Sequence, residues 1–506
     1  MESNILREWL SSHQFTWECL GELLAYRHDA PMLFSSGLFL FLFTGFLVIY
    51  LALRRHTLGR LIYVTLFSLY FYYKSSGLWF GLLVFTATSD FLIARGIAAA
   101  RTPLRRKLLV TLSLCVNLGM LAYFKYFNFL GELFAAVAGG EWMRMDIFLP
   151  VGISFFTFQS ISYVIDVYRQ RIPALGRWLD YLFYVSFFPQ LVAGPIVRAC
   201  DFIPQIYRDP FVSRAEFGEG LFLVLCGLLK KTVISDYISL NFVDRVFDAP
   251  LLYTGVENLI GVYGYALQIY CDFSGYSDMA IGIALFLGFR FNINFDSPYQ
   301  SATITEFWRR WHISLSSWLK DYLYISLGGN RKGRIRTYVN LLITMLLGGL
   351  WHGASMSFVL WGALHGVSLA IHKFMMSHFP GFKPVGGEMR PWRRVVGVLV
   401  TFHLVCFGWI LFRAPSMQVV GEMLSQILTN FHPEVFGQFV SGYKGVCALM
   451  LIGYALHFMP RRFEDALRGA VTRSPLLVQA ALLAAAILLV TQFRSAGVQP
   501  FIYFQF

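Results

Sequence analysis

Residues 32–53 read MLFSSGLFLFLFTGFLVIYLAL, and two arginines, Arg54 and Arg55, follow directly. The run contains no charged side chain, and because a helix rises ~1.5 Å per residue, it would be ~30 Å long. That length matches the hydrocarbon core of a bilayer. The stretch therefore predicts a membrane-spanning helix. The residues before it carry several acidic side chains and no apolar core of the kind that a cleaved signal peptide requires.

The composition extends this interpretation to the whole chain. Of the 506 residues, 50 are Phe, 57% are hydrophobic and only 14% are charged, against about 25% charged in soluble globular chains. These values exclude a set of soluble domains. Further apolar runs lie at about 61–73, 77–94, 108–124, 147–168, 181–197, 217–237, 256–271, 274–289, 337–351, 354–374, 393–412, 442–458 and 476–492. We expect an all-α polytopic membrane protein with roughly eleven to thirteen transmembrane helices and, because several runs are short, additional re-entrant and interfacial helices.

The net charge of +13 arises from 42 basic and 29 acidic residues. The basic residues form short clusters between apolar runs, which is the pattern that orients helices in a membrane. We therefore interpret the charge as a topology signal and expect no nucleic-acid partner. The seven cysteines are scattered and form no CxxC pair, so they are predicted to be small core residues and not disulfides or metal ligands.

The stretch 301–336 combines an apolar stripe with clustered basic residues. Thr303 and Glu306 have the spacing of a capping box at the start of a helix. Apolar side chains then recur at helical spacing, at Phe307, Trp311, Leu315, Trp318 and Tyr322. This predicts an amphipathic helix along the interface or inside the protein. A glycine-rich basic turn, 328–334, follows. The stretch fits a surface helix with a positive patch, and it also fits an anion-binding entrance on the cytosolic face.

His352 lies between glycines, in the sequence GGLWHGA at 348–354. One apolar run ends at Trp351 and a second begins at Ala354, so the backbone can break there. A broken helix at membrane depth is tolerated where it lines a protein cavity, and an ionisable residue in such a place indicates a functional site. One alternative is a hydrogen-bonded structural histidine. The other is an imidazole that moves a proton near neutral pH.

Charged residues at the ends of other runs give weaker indications. Lys230 and Lys231 end one apolar run and are expected to extend to the interface. Asp272 and Asp278 lie between two predicted spans and require partners. The sequence has no GxSxG, Walker A, HExxH or nucleotide-binding GxGxxG motif. Hydrolase, ATPase and dehydrogenase functions therefore lack their usual sequence support.

Several motifs together resemble those of the membrane-bound O-acyltransferase (MBOAT) family, and within it the alginate O-acetyltransferase type. They are FWRRWHISL at 307–315, YLYI at 322–325, LWHGA at 350–354, LPVGISFFTFQ at 149–159, AGPI at 193–196, DFSGYSD at 272–278 and PFIYFQF at 500–506. The resemblance covers about residues 32–506. It implies an MBOAT-like helical core formed by residues 32–506, preceded by an N-terminal extension, residues 1–31.

The resemblance also implies roles for individual residues. The counterpart of His352 is the catalytic histidine of the family, and the counterpart of His312 is its second essential position. Acetyl-CoA is expected as the acyl-donor substrate, with no bound cofactor and no metal. The residues expected to bind substrate are Trp308, Arg309, Arg310, Trp311, Trp351, Arg331, Lys332 and Arg334. The basic ones would bind the donor phosphates, and the tryptophans would line a cavity for the thioester.

The expected function is therefore transfer of acetyl groups across a bacterial inner membrane to an exported polysaccharide, with alginate as first choice and a periplasmic acetyltransferase as partner. Membrane lipid surrounds the chain in this interpretation. One alternative is a non-enzymatic subunit for polysaccharide export or scaffolding. Another is an acyltransferase acting on cellulose, peptidoglycan, or a lipid or protein.

Overall fold

A computed structural model describes residues 17–27, 30–192, 194–379, 389–493 and 501. Most of the expected extension 1–31, Ala193 of the AGPI motif and most of the motif at 500–506 fall outside these residues. Within the described ranges the regular elements are all helical, which confirms the all-α prediction. The six cysteines whose side chains are described there are free thiols, but the prediction that they are core residues is wrong for Cys115 and Cys200, which are exposed.

The first eleven helices form the N-terminal half of the chain. They are α1 (Trp17–Leu24), α2 (Gly37–Leu53), α3 (Thr57–Ser76), α4 (Phe80–Ala99), α5 (Pro103–Leu121), α6 (Phe127–Ala138), α7 (Ile153–Tyr168), α8 (Trp178–Ser186), α9 (Phe188–Leu191), α10 (Ala199–Ile206) and α11 (Arg214–Leu228). The run 32–53 forms a helix, but its 17 residues begin only at Gly37, after Ser36 caps it, so it is shorter than the helices that are long enough to cross a membrane.

Twelve further helices follow among the described residues. They are α12 (Asp244–Asp248), α13 (Gly255–Phe286), α14 (Ile304–Arg310), α15 (Ile313–Trp318), α16 (Arg334–His352), α17 (Met356–His378), α18 (Pro391–Arg413), α19 (Met417–Thr429), α20 (Phe436–Gly442), α21 (Lys444–His457), α22 (Arg461–Arg473) and α23 (Leu476–Phe493). Four π-helical turns, at Ala122–Tyr126, Leu229–Asp236, Ser239–Val243 and Leu319–Tyr324, interrupt or extend them.

Five helical stretches in the described part of the chain are long and apolar enough to cross a membrane. They are Thr57–Ala99, Pro103–Ala138, Met356–His378, Pro391–Arg413 and Leu476–Phe493, and a bent pair, Pro433–Gly442 with Lys444–His457, would make a sixth. This is fewer than the eleven to thirteen expected crossings. The reason is visible in α7, which has only 16 residues and buries polar side chains such as Gln159 and Asp166, so neither its length nor its composition marks a simple span.

The chain divides into two units, and the first contains residues up to 224 together with 278–292. Its interior is rich in phenylalanine: the Phe188 ring lies 5–7 Å from the rings of Phe39, Phe46 and Phe67. A polar cluster is also buried there, since the Asp90 carboxylate accepts hydrogen bonds from Ser113 Oγ (2.6 Å) and Asn117 Nδ2 (2.8 Å). These paired groups avoid the penalty of an unsatisfied charge inside an apolar bundle.

The second unit contains residues 225–277 and 293–493, and it holds every residue expected at the active site. Its centre is a hairpin of α16 and α17. An added Cβ at Gly349 would overlap Phe358 O, one at Gly362 would overlap Met345 O, and one at Gly366 would lie 3.0 Å from Leu342 Cα. The two helices are therefore antiparallel and in close backbone contact. The expected break at His352 is real, but it is a turn between two packed helices, with Gly353 in an extended conformation.

The expected amphipathic helix after the capping box is also interrupted. Thr303 Oγ1 accepts a hydrogen bond from Glu306 N, and Glu306 Oε2 accepts one from Ala302 N, so the cap is confirmed. The apolar stripe is buried as predicted. However, α14 ends at Arg310 and α15 begins at Ile313. His312 between them has φ +42°, a left-handed conformation that ends the helical hydrogen-bond ladder.

The expectation that both lysines at 230 and 231 extend to the interface is wrong for Lys231. Its side chain is buried, and Nζ lies 2.8 Å from Asp236 and 2.5 Å from Asp272. Asp272 thereby gains the partner that the sequence required. Buried charges of opposite sign in contact offset part of the cost of leaving water.

Candidate active site

His352 is the last residue of α16, and its ring is buried at 2% exposure. The ring lies in edge-on contact with three aromatic side chains. The centroid distances are 5.0 Å to Trp351, 5.0 Å to Trp361 on α17 and 5.2 Å to Phe412 on α18.

His312 is fully buried between α14 and α15. Its Nδ1 lies 3.2 Å from Asn294 Oδ1, and the same oxygen accepts a hydrogen bond from the backbone N–H of Ser314 (3.1 Å). The backbone donor identifies the amide oxygen, and an oxygen can only accept, so Nδ1 of His312 must donate. In the neutral ring the lone pair is therefore on Nε2.

Trp351 connects the two histidines. Its ring centroid is 6.0 Å from that of His312 and 5.0 Å from that of His352. The end of α16 also packs against the residue that follows α15, because an added Cβ at Gly348 would lie 3.1 Å from Leu319 Cδ1. The structure thus gathers two histidines, 40 positions apart in sequence, around one indole. Their roles in the reaction stay predictions.

The other expected tryptophans belong to the same aromatic cluster. Trp308 is partly buried and its ring lies 5.7 Å from Trp361. Trp311 is buried and lies 4.9 Å from Trp409 on α18. Trp361 in turn contacts His352. A chain of ring contacts therefore runs from α14 to the catalytic candidate.

The basic residues fall into two groups with different environments. Arg310 forms an ion pair with Glu306 (3.0 Å) and lies 3.9 Å from Asp296, so its charge is already matched, whereas Arg309 is exposed. The second group, Arg331, Lys332 and Arg334, is exposed at the start of α16. His352 ends this 19-residue helix, so the group lies ~27 Å away from it along the helix axis. The structure does not bring this group to the histidines.

The same end of α16, α17 and α18 is basic on all three helices. Arg334 Nη1 lies 3.4 Å from the ring of His378, the last residue of α17. Arg390 precedes α18, and Arg393 and Arg394 lie in its first turn. We call this end the basic end. His352 lies near the opposite end.

Sequence reasoning missed several residues of the site. Asn294 orients His312, while Trp361, Trp409 and Phe412 pack around the cluster. The three aromatic residues lie in ordinary apolar runs, where nothing separates them from lipid-facing residues. Asn294 belongs to a short polar stretch without periodicity. Among the described residues, no three His, Cys, Asp or Glu side chains come close enough together to hold a metal ion.

Comparison with known proteins gives a consistent result. The family model for MBOAT, the membrane-bound O-acyltransferase family, matches residues 177–411. The probable alginate O-acetylase AlgI of Pseudomonas aeruginosa is 42% identical over 400 residues, covering 78% of this chain and 74% of the relative. The peptidoglycan O-acetyltransferase of Helicobacter pylori is 35% identical over 435 residues, covering 80% and 81%. The teichoic acid D-alanyltransferase of Bacillus subtilis is 27% identical over 279 residues, covering 52% and 68%.

The similarity to the first two relatives extends over most of each chain, and all three relatives are named for the transfer of an acyl group. The helical architecture and the multiple apolar helices agree with it. The chain is an acyltransferase with several membrane-spanning helices, and it belongs to the membrane-bound O-acyltransferase family.

Proposed function

We propose that this protein is an O-acetyltransferase of a bacterial inner membrane. It takes acetyl groups from acetyl-CoA on the cytosolic side and delivers them to an exported polysaccharide, with alginate as the first acceptor and a periplasmic acetyltransferase as partner. Relatives with 41–42% identity over most of the chain are named as probable alginate O-acetylases, and these names support alginate as the acceptor. The observation that carries the proposal is the pair of buried histidines around Trp351 in a chain of this family.

The basic end gives the proposed orientation. Positively charged loops are enriched on the cytoplasmic side of membrane proteins, so the basic end would face the cytosol. The donor phosphates would bind there, at the exposed residues Arg309, Arg331, Lys332 and Arg334. Arg310, which is paired with Glu306, would hold α14 in place. The ~27 Å between Arg334 and His352 along α16 would be bridged by the donor as a whole, with the pantetheine arm covering the part nearer His352.

At the far end of that arm, His352 would act on the acceptor hydroxyl. Its imidazole takes the hydroxyl proton as the oxygen attacks the thioester carbonyl. The C–S bond then breaks, and the thiolate of coenzyme A leaves and takes a proton. A general base of this type contributes on the order of 10²–10⁴-fold to the rate. The alternative is a relay in which His352 carries the acetyl group itself. His312, fixed through Nδ1 by Asn294, would position the donor or steady the developing charge.

The experiment is replacement of His352 by Ala in the native host. We expect the exported polymer to lose its O-acetyl groups, measured by NMR, while the amount of protein in the membrane stays unchanged by immunoblot. His432→Ala is the matched control, because His432 is exposed and pairs with Glu434. Normal acetylation in the His352 variant would overturn the assignment.

A second measurement separates the alternatives. Purified protein is incubated with labelled acetyl-CoA and with labelled palmitoyl-CoA. Use of acetyl-CoA supports the proposal, use of palmitoyl-CoA indicates a lipid or protein acyltransferase, and use of neither indicates an export or scaffold subunit. The polymer that loses acetate in the His352 variant identifies the acceptor. Loss from peptidoglycan would favour the activity named for the Helicobacter pylori relative.

A further inference from the structure

Three neighbouring side chains of the aromatic cluster beside His352 carry ring nitrogens that can form hydrogen bonds. Trp308 on α14 contacts Trp361 (5.7 Å between ring centroids) and His365 (5.2 Å), and Trp361 contacts His365 (4.6 Å). Trp361 and His365 are 1% and 0% exposed. Trp361 also lies 5.0 Å from His352. The cluster is therefore continuous with the site but outside the pair of histidines already described.

The hydrogen-bonding groups of this cluster have no partner among the residues that the structure describes. Trp308 Nε1, Trp361 Nε1 and both ring nitrogens of His365 are buried, and none forms a hydrogen bond with any part of the chain that the structure describes. Buried polar groups in native proteins are nearly always satisfied, because an unsatisfied one loses its hydrogen bond to water without replacement. A polar partner from outside the chain would satisfy all four atoms of this cluster.

A glycine on α18 packs closely against two of these nitrogens. An added Cβ at Gly408 would lie 3.2 Å from His365 Nε2 and 3.4 Å from Trp361 Nε1. Both nitrogens therefore face the position that a side chain at residue 408 would occupy. Any residue larger than glycine would press against both nitrogens, so the glycine allows α18 to approach the cluster without obstructing their hydrogen-bonding positions.

The chemistry of the cluster identifies the kind of group that fits. The two indoles supply two N–H donors, and a neutral imidazole supplies one more donor and one acceptor. With the imidazole of His365 neutral, none of the three side chains carries a positive charge. A phosphate needs cationic partners in a buried place, and those lie at the basic end. Neutral carbonyl oxygens, with an occasional N–H, match three donors and one acceptor.

The position of the cluster selects the donor over the acceptor. α17 begins at Met356, close to His352, and runs towards the basic end, where it finishes at His378. His365 lies between these two ends, one helical turn beyond Trp361. A molecule that enters from the basic end reaches His365 before His352, whereas an acceptor from the other side does not pass it.

We infer that Trp308, Trp361 and His365 form a neutral hydrogen-bonding subsite for the amide and thioester carbonyls of the acyl donor's arm. The inference rests on the proposed function and adds His365 and Trp361 to its binding residues. The subsite holds the arm by its polar groups and so aligns the thioester with His352. It is separate from the phosphate-binding group at the start of α16.

The test compares two donor probes on purified full-length protein. S-acetylpantetheine has the arm without the nucleotide phosphates, and acetyl-CoA has both. His365→Met removes both hydrogen-bonding nitrogens at similar size, while His365→Gln keeps a donor and an acceptor. We expect His365→Met to weaken binding of both probes by about tenfold, the effect of one or two lost hydrogen bonds, and His365→Gln to restore most of the affinity. Arg331→Ala should weaken binding of acetyl-CoA only.

Gly408→Ala gives a second, independent variant. The added methyl group should also weaken S-acetylpantetheine binding, whereas Gly421→Ala, at a helical glycine with no atom within 4 Å of the added Cβ, should not. Unchanged affinity for S-acetylpantetheine in His365→Met and Gly408→Ala would overturn the inference while leaving the proposed function intact. So would a loss of thermal stability without any loss of affinity, which would indicate a structural role. Failure of the wild-type protein to bind acetyl-CoA would instead overturn the proposed function, and the inference with it.

Discussion

His312 has a backbone φ of +42°, a conformation that non-glycine residues adopt at a cost of about 1–3 kcal/mol. Asn294 stabilises it from two directions. Asn294 O accepts a hydrogen bond from Ile313 N (2.9 Å), and Asn294 Oδ1 accepts one from His312 Nδ1 (3.2 Å). A strained residue that its surroundings hold in one orientation is typical of a functional site. The amide of Asn294 therefore determines where Nε2 of His312 points.

Replacement of Asn294 by Ala should lower acetyl transfer by about tenfold to a hundredfold. The change removes the acceptor of a buried N–H, which costs about 1–3 kcal/mol, and it frees the ring to rotate. The rate is measured with purified protein and labelled acetyl-CoA. Ser277→Ala is the control, because Ser277 Oγ accepts a hydrogen bond from the Asn294 amide nitrogen (3.2 Å), on the side of the amide away from the oxygen that binds His312. Equal activity of the Asn294 variant and the wild type would contradict the role given to this amide.

Of the residues around Trp351, His352 could be predicted from its own surroundings, whereas His312 and Trp351 were predicted through the resemblance to the family. His352 lies between glycines, and His312 lies next to a basic and aromatic cluster. Asn294 could not be predicted. It lies 18 residues before His312, in a short polar stretch without periodicity, and only the folded backbone brings the two together.

The hairpin of α16 and α17 is the element that positions His352. Its helices approach closely because glycines face backbone atoms of the partner helix at three levels. Small residues permit such contact between helices in membranes, where packing replaces the hydrophobic effect as the driving force. The turn at Gly353 then places His352 against α17 and α18 together.

Gly362→Ala should destabilise the protein and lower activity. The added methyl group overlaps the carbonyl oxygen of Met345, and overpacking of this kind costs about 1–3 kcal/mol. The apparent melting temperature in detergent is the measurement. Gly45→Ala on α2, where no atom lies within 4 Å of the added Cβ, should leave it unchanged or raise it slightly. A melting temperature for Gly362→Ala equal to that of Gly45→Ala would contradict the close packing of this hairpin.

Periodicity predicted the burial of the stripe on α14 and α15, but not the break between them. The stripe needs only a repeat of apolar residues, whereas the break depends on the hydrogen bonds of Asn294. The position of Lys231 likewise depends on contacts that periodicity does not reveal. An isolated lysine at the end of an apolar run extends to the interface, but in the fold Asp236 and Asp272 lie within 2.8 Å of its ammonium group.

Basic residues are concentrated at one end of α16, α17 and α18, and this distribution defines an axis along the three helices. The basic end contains Arg334, His378 and Arg394, and His352 lies near the other end of the same helices. Two of these helices, α17 and α18, are long and apolar enough to cross a membrane. An acyl donor and a polymer could thus approach the site from opposite sides of the bilayer.

Cysteine labelling tests this axis. In a variant without native cysteines, Lys332→Cys at the basic end should react with a membrane-impermeant thiol reagent only in inside-out vesicles. Gln418→Cys, an exposed position beyond the other end of α18, should react only in intact cells. The positive-inside rule gives this direction. The reverse pattern, or labelling of both positions from one side, would contradict the orientation.

The helical membrane class could be predicted from composition alone, because 14% charged residues are too few to cover the water-exposed surface of soluble domains. The number of crossings could not. Helices such as α7 bury polar side chains against protein, and the 32-residue α13 carries Glu257, Asp272 and Asp278. Their apolar runs therefore do not correspond one by one to simple spans.

The central claim, that the imidazole of His352 catalyses the acetyl transfer, is tested most directly in inside-out membrane vesicles that contain the polymer and its partner protein. Labelled acetyl-CoA is added outside, where the basic end is exposed, and label on the polymer is measured over time. We predict transfer by the wild type and by His403→Ala, an exposed histidine, and a rate lower by on the order of 10²-fold or more for His352→Ala. Equal rates for the His352 variant and the wild type would contradict the claim.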